Sequence, residues 1–414
     1  MQLIKRAGLV VFGCLVLSSA SLANEFEAPP VQQASQVLQK SATGPGYRVR
    51  SNVRSDGFLR IYQLETAQGV EEVVGDGLLR LRLSELRALA ALDSLKADQS
   101  FLEGLKEAAK RPADFVKSAV QDPLGTTKST VSGVGRLFGR IGQGVENVVT
   151  GNTGSPDELL KAVTGADRSR RELAVALNVD PYTTYAPLSD KLTETASVTT
   201  AGKWTVTAIT ALIPGGIIAQ AAGTADSLRT MIIDSTPTEL EERAVGALRN
   251  AGARSGDISA FVRNPNYTAS ERVVFAYRLQ AMTNVQGRDL LVSRAASAQT
   301  RDEAYFQLRK VVLSETYHRT IARFTGFRSV AGYPVAIRAD GAAALVAPLD
   351  MVAWTEVTSA AFASVHNGMT SQPFPPKSVD FLTTGSVTDL AAQNLSSFGW
   401  AITAEYPMPE GPVH

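Results

Sequence analysis

Two kinds of hydrophobic spacing alternate along the chain. Tyr47, Val49 and Val53 interleave with Arg48, Arg50 and Arg54, and Phe58-Leu59-Arg60-Ile61-Tyr62 continues in the same style beyond Asp56-Gly57. Side chains of a strand point to alternate faces, so this period of two predicts strands, and Asp-Gly between them predicts a hairpin. A second turn at Gly75-Asp76-Gly77 leads into Leu79-Arg80-Leu81-Arg82-Leu83. Residues 47–83 are therefore expected to form a small antiparallel β unit.

From Ser84 the period lengthens. Leu86, Leu89, Leu92 and Leu95 recur at helical spacing, and the pattern runs to about Lys110 before Pro112 interrupts it. Later helix starts are marked by capping boxes, in which a Ser or Thr side chain and a Glu three residues on satisfy each other's backbone N–H groups. Ser155 with Glu158, Thr236 with Glu239, Thr268 with Glu271 and Thr300 with Glu303 fit, and Pro156 and Pro237 take the tolerated first helical position. Residues 84–326 read as a helical domain.

Mixed character then returns. Pro334-Val335-Ala336-Ile337-Arg338 and Ala343-Ala344-Leu345-Val346 flank Asp340-Gly341, a second hairpin signal. The spacing predicts a helix over 350–366, a strand over 379–382, a helix over 387–398 opened by Ser386, and a strand over 400–403. Residues 327–408 form a C-terminal α/β module in this reading. The expected fold class is α+β, predominantly helical, with a small N-terminal antiparallel β unit, a central helical domain and that module.

The first residues have a different purpose. Lys5 and Arg6 make a basic start, residues 7–17 are uncharged and apolar, and Ser21-Leu22-Ala23 places small residues where a signal peptidase reads them. Residues 1–23 are thus predicted to be a signal peptide cleaved before Asn24. The apolar run is shorter than the roughly 20 residues a bilayer-crossing helix needs. Val11-Phe12-Gly13-Cys14 offers an alternative, a lipobox with Cys14 acylated, against which stand the bulk of Phe12 and the apolar run continuing past it. The chain is placed in the periplasm or outside the cell, with lipid anchoring through Cys14 the less favoured route. Residues 24–46, with Pro29-Pro30, several glutamines and Gly44-Pro45-Gly46, read as a linker.

Composition then narrows the chemistry. Cys14 is the only cysteine, so no disulfide can form within the chain. Loss of Lys5 and Arg6 takes the 41 basic residues to 39, against 40 acidic ones, and this near balance gives no global electrostatic reason to expect nucleic acid. Residues 124–151 hold seven glycines beside an apolar stripe at Val134, Phe138, Ile141, Val145 and Val148. Lys128, Arg136 and Arg140 make that segment basic, the candidate surface for an anionic lipid or a protein partner. Residues 204–225 are uncharged, but several threonines and Pro214-Gly215-Gly216 favour a buried helical hairpin over membrane insertion.

No motif names a reaction. Glu315-Thr316-Tyr317-His318 has the spacing of a di-iron ligand pair, yet no second copy exists, and a surface pair of Glu315 with Arg319 is the simpler expectation. His366 is expected to cap a helix end, and His414 is terminal. Residues 122–130 resemble a phosphate loop only faintly, because Thr127 stands where glycine must precede the lysine. No cofactor and no metal is expected, and the sequence names no catalytic residue.

Three stretches resemble a family of exported, uncharacterised proteins of Gram-negative bacteria to which no activity is assigned. They are Asp122-Pro-Leu-Gly-Thr-Thr-Lys with Gly133-Val-Gly-Arg-Leu-Phe-Gly-Arg, Leu177-Asn-Val-Asp-Pro-Tyr-Thr-Thr, and Thr384-Gly-Ser-Val with Phe398-Gly-Trp-Ala-Ile. The resemblance implies one long unit in the bacterial envelope and supplies no mechanism. The expected role is non-enzymatic binding of an envelope protein or an anionic lipid. The alternatives are a hydrolase of an envelope polymer or lipid, with carboxylates in an interdomain cleft, and a membrane-inserting protein built on 204–225.

Overall fold

The computed structural model describes residues 25–95, 98, 101, 103, 167–200, 205–211, 225–373 and 375–408. Six short strands come first: β1 (Val31–Gln33), β2 (Thr43–Gly44), β3 (Tyr47–Val49), β4 (Asn52–Ser55), β5 (Arg60–Thr66) and β6 (Gly69–Val74). β5 is the spine of this antiparallel sheet. One edge pairs with β6 from Ile61↔Val74 to Thr66↔Gly69, while the other takes β3 opposite Leu64 to Thr66 and β4 opposite Arg60 and Ile61. The predicted alternation holds, with Tyr47, Val49, Val53, Tyr62 and Leu64 buried and Arg48, Arg50 and Arg54 exposed. The hairpin at Asp56-Gly57 also forms, and Asp56 Oδ1 accepts from the backbone of Phe58 (2.8 Å) and Leu59 (2.7 Å).

Two expectations for this region are corrected. Residues 24–46 are not a linker, because β1 pairs antiparallel with β4 and β2 with β3. An edge strand is held by its backbone, so glutamines serve there as well as apolar residues. Glu27 fixes the segment further, since its N–H donates to the Trp354 carbonyl and its carboxylate accepts from the Trp354 N–H (3.0 Å) and the Thr388 hydroxyl (2.5 Å). Residues 79–83 are not a strand but the second turn of the helix Asp76–Ser94. Leu79, Leu83 and Leu86 face the sheet, whereas Leu78 and Leu81 also meet the core of the helical middle. A helix pressed between two cores needs leucines on both sides, which mimics strand alternation.

The middle is helical, as expected. Its described helices are 167–176, Ala186–Thr200, Val206–Ala211, Ala225–Asp234, Pro237–Asn250, Ser255–Arg263, Ala269–Ala281, Asp289–Ala296 and Arg301–Thr320. The capping boxes of Thr236 and Thr268 are complete. Thr300 accepts from the Glu303 N–H, but the Glu303 carboxylate turns back to Gln299 N instead (2.7 Å), leaving half a box. Ser155 and Glu158 lie outside the described residues.

The C-terminal sheet contains β7 (Phe324–Val330), β8 (Tyr333–Arg338), β9 (Ala343–Ala347), β11 (Val379–Thr383) and β13 (Trp400–Thr403), in the order β13-β11-β9-β8-β7. β7 to β9 are antiparallel, while β11 lies parallel to both β9 and β13. Both faces are covered. Ala336, Ala344, Val346 and Leu382 join the helical core, and Val335, Leu345, Val379 and Phe381 meet the helices Glu356–Thr370 and Asp389–Ser397. Two helix starts move relative to expectation. The helix predicted from 350 starts at Glu356, capped by Thr355, and the one predicted from 387 starts at Asp389, capped by Thr388. Before each runs a short strand, β10 (Met351–Val352) and β12 (Ser386–Val387), paired parallel with one another.

Asp350 holds the seam between the two sheets. Its Oδ2 accepts from the backbone of Arg60 (3.0 Å) and Asp76 (2.9 Å), and its own N–H donates to the Phe58 carbonyl. Burial, then the charge of Asp76, pushes its carboxyl up to about 7. The chain is tight here, since a Cβ added at Gly385 would overlap the Asp350 backbone.

Candidate functional site

The basic residues singled out from sequence, Lys128, Arg136 and Arg140, lie outside the described residues, as do Cys14 and the segment 122–130. Of 204–225, Val206–Ala211 is a helix whose Ile209 is buried against Leu188, Leu192 and Val198. Among the described residues no helix is long and apolar enough to cross a membrane.

The two described histidines, His318 and His366, are structural. Glu315 pairs with Arg319 (3.1 Å) as expected, but its carboxylate is buried rather than on the surface and also pairs with Arg278 (3.0 Å). His318 ends its helix by accepting the Phe324 N–H on Nδ1 (2.9 Å), and burial followed by the Arg323 charge lowers its basicity. The cap expected at His366 is corrected: its ring stacks on Phe398 at 4.4 Å, inside the helix Glu356–Thr370. Among the described residues no group of three His, Cys, Asp or Glu is placed to hold a metal ion.

One concave site stands out, where the N-terminal hairpin, the helical middle and the C-terminal module meet. It is a cavity of about 310 Å³, the lower end of the range for small-molecule sites. The hairpin tip contributes Phe58 and Leu59, and the helix Arg301–Thr320 contributes Phe306, Gln307 and Lys310. The opposite wall is Leu345, Ala347, Leu349 and Phe381 from the sheet with Phe362 and Val365 from the helix Glu356–Thr370. Most of this lining is apolar. Aromatic rings make it stiff, since Phe362 lies edge-on to Phe58 (5.7 Å) and to Phe381 (5.4 Å) and stacks on Trp354 (6.2 Å).

Comparison with protein-family models, curated proteins and solved structures gives no match. The cavity's own chemistry must carry the functional argument.

Its exceptional residue is Lys310. The side chain is only 7% exposed, and among the described residues it has neither an ion-pair partner nor a hydrogen bond. Burial, then the neighbouring Arg294 charge, brings its amine down to about 8. A buried lysine is ordinarily paired, because desolvating an ammonium without a partner is expensive. Sequence reasoning passed over it. The available signal was a lysine set in the apolar run Leu308 to Leu313, interrupted otherwise only by Arg309.

Three carboxylates also border the cavity: Asp56, Asp302 and Glu303. Asp56 and Glu303 are committed to backbone N–H groups, as turn and cap. That is not the arrangement of a paired acid and base, in which each carboxyl must face the reacting bond. A second acidic cluster is closed. Glu85, Asp180 and Glu271 are buried beside Arg82 and Arg301, and the void that Glu85 and Asp180 border is about 10 Å³, room for one water. Burial raises the pKa of all three. Thr183 hydrogen-bonds Glu85, Thr268 donates to Asp180 (2.5 Å) and Arg301 to Glu271 (2.5 Å), a network that joins the helix Asp76–Ser94 to the helical middle.

Proposed function

We propose that this is an exported protein of the bacterial cell envelope that works by binding, without catalysis, and that its ligand is a lipid or another molecule with an apolar body. The observation that carries the reading is the cavity of about 310 Å³, lined by Phe58, Phe306, Phe362, Phe381 and aliphatic side chains from three parts of the chain. A concave apolar surface of this kind is what a small ligand buries when it binds. Two of its three bordering carboxylates serve as a turn and a cap, which favours binding over general acid–base chemistry.

The test is titration with an uncharged fluorescent probe such as N-phenyl-1-naphthylamine. Saturable binding at one site is expected, weakened at least tenfold by Ala347→Phe or Ala361→Phe, both of which fill the cavity. Unchanged affinity in variants whose melting temperatures match the parent would sink the proposal. The basic segment around Lys128, Arg136 and Arg140 belongs to the same proposal as the place where the protein meets an anionic membrane. Flotation with vesicles containing phosphatidylglycerol should show salt-sensitive binding that the pair Arg136→Ala and Arg140→Ala reduces. Recovery of a periplasmic form beginning at Asn24 is the expected result for export.

A further inference from the structure

Resting on the cavity reading above, we infer that the ligand is an unbranched monocarboxylic acid of medium chain length and that Lys310 holds its carboxylate. Lys310 lines the cavity more than nine-tenths buried, and no described residue supplies a counter-charge. A ligand that brings the missing anion converts an uncompensated buried cation into a charge-assisted hydrogen bond.

The charges are ordered along one wall. Asp302, Phe306 and Lys310 are spaced four residues apart on the helix Arg301–Thr320, so they share a face. Eight residues of helix rise about 12 Å, so an anion at Lys310 sits well away from Asp302, whereas the reversed orientation brings its charge beside that carboxylate. Between the two ends the lining is apolar, with Phe306, Leu345 and Phe381 available to the chain. At roughly 30 Å³ for each water-sized group, 310 Å³ holds about ten non-hydrogen atoms. This matches an acid of eight to ten carbons.

The experiment is calorimetric titration of the protein with decanoate and with 1-decanol at pH 7. Decanoate is expected to bind one to one and at least tenfold more tightly than decanol. Lys310→Met should abolish that preference by weakening decanoate alone, Lys310→Arg should keep it, and raising the pH from 7 to 9.5 should weaken decanoate in the parent without changing decanol. Equal binding of both compounds to the parent, or a Lys310→Met variant that keeps the preference, overturns the assignment while leaving the cavity reading intact. Equal weakening of both compounds in Lys310→Met also overturns it, because that is the effect of a packing residue. Failure of both compounds to bind the parent removes the cavity reading with it. The pH series needs no variant, so the assignment is exposed to refutation even if a substitution disturbs folding.

Discussion

Replacing Asp350 with asparagine isolates one buried charge. Asn keeps an oxygen able to accept the N–H groups of Arg60 and Asp76, and it removes the ionisation. The folded carboxyl titrates near 7 because of burial and Asp76, against an ordinary 3.8. That difference is worth about 4 kcal/mol, at 1.36 kcal/mol for each tenfold in proton affinity. The sign follows from proton counts. Between pH 4 and 7 the folded chain keeps a proton that the unfolded chain has lost, so stability falls as pH rises through this window and levels off above it. From pH 5 to pH 8 the parent should lose about 2.5 kcal/mol that Asp350→Asn does not lose. For a chain of this size that is on the order of 5 °C in melting temperature. Melting curves by circular dichroism at intervals from pH 5 to 8 measure the gap directly. Parallel curves for the two proteins would refute the claim that Asp350 is held near neutrality. Asp350→Ala is the control for its structural role: it strands two backbone donors in the seam and should destabilise by about 2–4 kcal/mol at every pH.

Other changes probe separate parts of the fold. Lys310→Met should raise the melting temperature of the unliganded protein at pH 7 by removing a cost of up to about 3 kcal/mol. In the parent that cost is fully present below about pH 8 and fades as pH rises toward 10.5, the window in which only the unfolded lysine holds its proton. A parent that does not gain on the variant across that range contradicts it. Thr236→Ala removes an exposed cap and should cost about 1 kcal/mol in urea unfolding. Thr268→Ala should cost more, about 2–3 kcal/mol, because Thr268 is buried and also donates to Asp180; equal losses would show that the Asp180 contact contributes nothing. Glu27→Ala should release the N-terminal segment from Trp354 and Thr388, seen as faster limited proteolysis within 25–45 with little change at the helical core.

Legibility in the sequence followed the physical origin of each signal. Local chemistry was readable: Asp56-Gly57 and Asp340-Gly341 turn, Thr236 and Thr268 cap, and the alternation from Tyr47 to Tyr62 marks strands. Signals set by tertiary packing were not. Leucines 79, 81 and 83 alternate because two cores flank one helix, and Val31–Gln33 is a strand because β4 offers an edge. Asp350 reads as the start of a helix, but in the fold its carboxylate meets Arg60 and Asp76, almost three hundred residues away in sequence. The cavity was invisible for the same reason. Its lining comes from segments scattered between Asp56 and Phe381, and only the position of Lys310 among apolar neighbours carried a trace of it.

The hairpin tip has a double employment. Phe58 and Leu59 wall the cavity, while the carbonyls of Gly57 and Phe58 receive the N–H groups of Ala353, Asp350 and Met351. The two sheets share no strand, so under the proposed binding function cargo lodged between Phe58 and Phe381 would act as a cross-brace between them. Filling the chamber should slow amide exchange at Asp350, Met351 and Ala353 together, which would let the outside of the molecule report whether the inside is occupied.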